Sequence, residues 1–151
     1  MAVEPTNPVI VLCSAGMAVE DNPAEALAWF EQAWNARRDD YDTCIAAHFI
    51  ARVQRSPELV LHWNEIAVRH AEAVEDDRVR ELMSSLYLNF GDANAALGNH
   101  EEAAAAAARA CASLDAVPAS GYRDFLAFSI RNLQRRLAEE SMADSVMLAG
   151  R

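Results

Sequence analysis

Two triplets of residues recur 34 positions apart in this chain, and that spacing restricts its fold more than any other feature. Ala26, Phe30 and Ala33 follow the rhythm A-x3-F-x2-A, and a similar pattern returns in register as Val60, Asn64 and Ala67. A third copy, Ala103, Ala107 and Ala110, arrives 43 residues after the second, so nine extra residues separate them. A period of this size is the mark of a unit too thin to bury its own apolar face. Such units become stable by stacking on one another.

The punctuation between the triplets is helical. Asn7-Pro8, Asn22-Pro23 and Ser56-Pro57 each place a capping side chain before a proline at the first helical position. Asn22 precedes Glu25 and Asn99 precedes Glu102 at capping-box spacing, and Gly98 suits a left-handed helix end. Alanine is abundant and glycines number only 5, which favours helix throughout. These signals predict an all-α chain of seven helices, over about 8–20, 23–37, 41–54, 57–74, 77–97, 100–114 and 121–140. The run Val9–Cys13 has the look of a buried strand, but no second strand exists to pair with it, and helix is the better reading. The charged insertion Glu75–Met83 is expected to lengthen the fifth helix by a turn or two. In the last helix Tyr122, Phe125, Leu126, Ser129, Ile130 and Leu133 are expected to form the covering face.

Upstream of the third triplet lies Tyr87-x2-Phe90-Gly91-x2-Asn94, close to the W-x2-L-G-x2-Y half of the tetratricopeptide pattern. Over residues 7–117 the chain resembles a tetratricopeptide repeat protein. The resemblance implies antiparallel helical hairpins stacked as a short right-handed solenoid, with repeats at about 7–40, 41–74 and 84–117. A capping helix at 121–140 and a tail at 141–151 complete one domain, 1–151. It also implies a non-catalytic scaffold that grips a protein or peptide segment in a concave groove. Carried over residue by residue, the groove positions are Asp42, Ile45, Phe49 and Arg52 in the second repeat and Ser85, Leu88, Asn89 and Asp92 in the third. The first repeat offers only the apolar Val11, Leu12, Ala15 and Ala18. Some family members clamp a terminal carboxylate with lysines and asparagines. With no lysine among 13 basic residues, an apolar or mildly basic segment is the better-matched partner.

Composition narrows the function further. A net charge of −10 is a poor footing for nucleic-acid binding, which draws its affinity from clustered cations. The arginine doublets at 37–38 and 135–136 lie beside acidic doublets and are read as self-neutralised helix ends. The apolar run Val9–Val19 is too short to span a membrane and lacks a basic leader, so no membrane association is expected. Three cysteines, Cys13, Cys44 and Cys111, sit in apolar helical patterns as small core residues of a reduced, cytoplasmic protein. The alanine–arginine bias suggests a GC-rich bacterial gene.

No nucleotide-binding or hydrolase motif appears, and no cofactor is expected. Cys44 and His48 share a helical face, but two ligands do not make a metal site. Two competing readings stay open. One is a small-molecule sensor or enzyme built on Cys44, His48 and Arg52; the other is a self-associating subunit, a homodimer.

Overall fold

Proline-punctuated starts set the first, second and fourth helices. In the computed structural model, which describes residues 6–150, α1 (Pro8–Met17), α2 (Pro23–Asn35) and α4 (Pro57–Ala73) all begin on proline. The caps are Asn7, Asn22 and Ser56, whose side chains accept from the amides of Val9, Glu25 and Leu59. The segment 9–13 is therefore helix. Helix α3 (Asp40–Arg52) is capped by Asp39, α5 spans Met83–Ala96, α6 His100–Ala112 and α7 Gly121–Ala149. No strand occurs among the described residues. Residues 1–5 and 151, the ends of the expected domain and tail, lie outside them.

Consecutive helices pack as three hairpins, α1/α2, α3/α4 and α5/α6, with α7 laid against α5 and α6. The spaced triplets mark these contacts: Ala26, Phe30, Ala33, Asn64, Ala67, Ala103, Ala107 and Ala110 are all buried. Gly16 of α1 lies so close to the Phe30 ring that a methyl group there would run into it. Gly91 of α5 does the same for the third hairpin. A Cβ there would meet Leu133 of α7 at 3.0 Å and Ala106 of α6 at 3.4 Å. Gly98, at φ 77°, closes α5 as expected.

Five local expectations are corrected. The insertion does not extend the fifth helix. Asp76 accepts from the Arg78 amide at 3.0 Å and starts a separate 3-10 turn, Asp77–Val79, because a short acidic side chain competes for backbone donors. Val79 is buried and Arg78 lies over the Tyr41 ring at 4.6 Å, so this turn docks on α3. Asn99 does not cap α6; its amide donates instead to Asn94 Oδ1 at 3.2 Å. In α7 the buried stripe is Leu126, Ile130, Leu133 and Leu137, whereas Tyr122 and Phe125 are exposed. The same helix runs on through the expected tail to Ala149. Cys13 and Cys44 are core residues, but Cys111 is exposed, because it lies about 90° around α6 from the centre of the buried stripe of Ala103, Ala106, Ala107 and Ala110.

The packing is not uniform along the stack. Helix α1 touches α3, but α3 makes no comparable contact with α5, and α4 provides the main junction between the second hairpin and the third. The extra residues between α4 and α5 thus leave an opening between the first helices of those hairpins.

Candidate functional site

The opening is a cleft of about 450 Å³ between α3, the α3–α4 turn and α5. Its floor is apolar, made by Ala51, Pro57, Val60, Ala93 and Ala96. Its polar groups are His48, Arg52, Gln54 and Arg55 on one side and Asn89 and Asp92 on the other, with Asn64 between. The α3 residues face it because His48, Ala51 and Arg52 recur at helical spacing, and Gln54 and Arg55 follow in the turn after the helix. Asn89, Asp92, Ala93 and Ala96 repeat that spacing on α5.

The polar groups differ in how far they are already committed. Arg52 is held by Glu20, its Nε and Nη2 donating to the two carboxylate oxygens at 3.0 and 2.8 Å. This two-point clamp ties the end of α3 to the turn after α1. Asp92 accepts from Arg136 of α7 at 3.1 Å, and its own desolvation raises its carboxyl above the ordinary value despite that partner. Asn64 donates to the Val60 carbonyl of its own helix at 3.0 Å. Arg55 and Asn89 have no partner among the described residues.

His48 is the most unusual group in the cleft wall. Its Nδ1 is sealed from solvent and makes no hydrogen bond, alone in this among the described residues' buried side-chain nitrogens and oxygens. The ring stands edge-on to Phe49, with centroids 5.1 Å apart. Desolvation, reinforced by the Arg52 charge and opposed by Glu20, pulls its pKa down from 6.5 to about 4. The imidazole is therefore neutral at physiological pH. One turn before it, Cys44 is fully buried and desolvation pushes its thiol up to about 12. A thiol held so far from ionisation supplies no nucleophile or thiolate ligand at neutral pH. Among the described residues no three His, Cys, Asp or Glu side chains gather as metal ligands would. No helix there is long and apolar enough to cross a membrane.

Of the eight groove positions taken from the repeat pattern, the cleft gathers three, Arg52, Asn89 and Asp92. The others lie elsewhere. Asp42 is wholly buried and takes no part in a groove. It accepts from Asn7 Nδ2 at 2.8 Å and from the Arg38 amide and Nε at 3.1 and 2.9 Å, locking α1 to the start of α3. Burial pushes its carboxyl up, but the bonds from Arg38 and Asn7 outweigh that and leave it lowered. Ile45 and Leu88 are buried in the core and do not open onto a groove. Phe49 is half-buried and packs on Phe30, ring centroids 5.4 Å apart, so it is core in function. Ser85 is half-buried and does not line the cleft.

The sequence reading missed Arg55, Asn64 and His48 as cleft residues. His48 enters the sequence reading only beside Cys44, as a metal partner and as part of the sensor or enzyme alternative. The usable signal was the helical spacing of 48 and 52, read against a neighbour pushed away by the insertion. No protein-family model, curated protein or solved structure gives a significant match to this chain.

Proposed function

We propose that this protein is a non-catalytic binding scaffold: a short stack of tetratricopeptide-like hairpins working in the bacterial cytoplasm and taking a peptide or protein segment in the α3–α5 cleft. The observation that supports this most is the cleft itself. It has an apolar floor, and its lining includes two uncommitted donors, Arg55 from the α3–α4 turn and Asn89 from α5. Such a floor takes an apolar side chain, while Asn89 and Arg55 satisfy the carbonyls of the backbone that carries it. An unpaired arginine disfavours a cation beside it. The expected apolar or mildly basic segment is therefore narrowed to an apolar one. Nucleic acid remains an unsuitable partner, because Arg52 already spends its charge on Glu20.

The sensor or enzyme reading rests on Cys44, His48 and Arg52, and it is the weaker. Cys44 is sealed in the core as a thiol, and Arg52 is tied outward. The cleft is open to solvent and not an enclosed chamber.

Binding of the protein to an array of peptides tests the proposal. Wild type is expected to select sequences with one large apolar residue. Ala96→Trp, which fills the cleft from an exposed position on α5, should lose them while its circular dichroism is unchanged. Equal binding by Ala96→Trp, or preference for polyanions, would overturn the cleft as the site.

A further inference from the structure

Helix α7 carries a second surface that has nothing to do with the cleft. Its 29 residues extend about 43 Å at 1.5 Å per residue, against about 20 Å for the 13 residues of α6. The core holds it through Leu126, Ile130, Leu133 and Leu137, Glu140 pairs with His100 of α6 at 3.0 Å, and from Ala138 onward every described residue is exposed. That projecting part contains Met142, Val146, Met147 and Leu148, each about 70% exposed, with Asp144 its lone charge after Glu140. An apolar helical end of this kind is marginal in water without a cover.

The sequence of exposed residues shows what covers it. Phe125, Phe128, the half-buried Asn132, Arg135, Glu139, Met142, Val146 and Ala149 follow alternating steps of three and four, a heptad seam. At roughly 100° per residue this seam lies on the side of α7 opposite the buried leucines. Phe125 and Phe128 are each 62% exposed, and Arg135 and Glu139 are similarly open. The seam is apolar at both ends and charged at its centre.

We propose that α7 pairs antiparallel with α7 of a second copy of this chain. About a two-fold axis beside Leu137, Phe125 then meets the partner's Ala149, Phe128 meets the partner's Val146, and Asn132 meets the partner's Met142. At the centre Arg135 meets the partner's Glu139, and the reciprocal contact follows from the symmetry. Within one chain Arg135 already donates to Glu139 at 3.0 Å, so the axis gathers two arginines and two glutamates in alternation. A parallel pair would set Arg135 on Arg135 and Glu139 on Glu139, and the like charges reject it. The flanking Arg136 also approaches its copy, but its charge is held by Asp92 at 3.1 Å.

Sedimentation equilibrium on the full chain tests this. Wild type is expected to be a dimer at micromolar concentration. Arg135→Glu and Glu139→Arg, each of which faces like charges across the axis, should each weaken the dimer by about tenfold or more. The double swap Arg135→Glu with Glu139→Arg should restore it. Both positions are solvent-exposed, so the thermal melts should show folded protein in every case. A monomeric wild type, a dimer indifferent to the single swaps, or a double swap that fails to rescue would each overturn the proposal. So would a monomer that binds its α7 to lipid vesicles.

Discussion

The two ends of the molecule solve the same packing problem with opposite materials. The first two hairpins close over large rings: Phe30 fully buried, Phe49 against it, and Trp34 edge-on to Trp63 with centroids 5.0 Å apart. The third hairpin closes with methyl groups, Ala103, Ala106, Ala107 and Ala110, filled in by Leu126, Ile130, Leu133 and Leu137 of α7. In the first region bulk comes from the hairpins themselves. In the second it is imported from the capping helix, and α6 is left thin enough for α5 and α7 to close around Gly91. The two cores meet at Tyr87, and the cleft opens on the same seam. Removing volume should therefore hurt the first region, and adding volume should hurt the second.

The largest expected effect is in the aromatic core. Phe30→Ala should cost about 3–5 kcal/mol in denaturant unfolding, as expected for loss of a fully buried ring. A cost below about 1 kcal/mol would mean that Gly16 and Phe49 collapse into the space and that the core is not ring-supported.

The seam should respond to acid. His48 has a folded pKa of about 4 against 6.5 when unfolded, so below pH 6.5 the unfolded chain takes a proton that the folded one refuses. Its contribution is complete above pH 6.5 and falls away down to pH 4, by up to about 3 kcal/mol. Denaturant midpoints at pH 7 and pH 4.5 should differ in wild type and differ less in His48→Phe. Asp42 acts at lower pH. Its folded value is lowered from 3.8, so its support is present above 3.8 and lost only as pH falls through the folded value.

A smaller effect sharpens the contrast from the other side. Ala103→Leu should overpack the third hairpin and cost about 1–3 kcal/mol by thermal melt. The smallest belongs to Ala105→Leu, on the exposed stripe of α6, at about 0.5 kcal/mol or less. Equal costs at the two positions would show that the outer stripe is covered as well.

The helices themselves were legible because proline, asparagine and serine starts act locally and the triplets repeat in register. The interior of the fold was less so. Asp42 looked like a groove residue by position, yet its partner Asn7 lies 35 residues away, and only the folded chain brings them together. The Glu75–Met83 insertion was visible, but its outcome turned on one Asp76 side chain competing for the backbone. The face of α7 was misread because Tyr122, Phe125 and Leu126 are all apolar, and the pattern alone does not say which neighbour chooses among them. Three cleft residues came through the repeat pattern, since helical spacing survives an insertion. His48 and Arg55 did not, since their significance depends on the distance between α3 and α5.

The most direct test of the cleft is to titrate an array-selected apolar peptide into isotope-labelled protein and follow the amide resonances. The account predicts shifts concentrated at residues 48–55 and 89–96, with the His48 ring responding as the cleft wall it belongs to is covered. Shifts confined to the exposed face of α7, or an unperturbed His48 in a saturated complex, would contradict it.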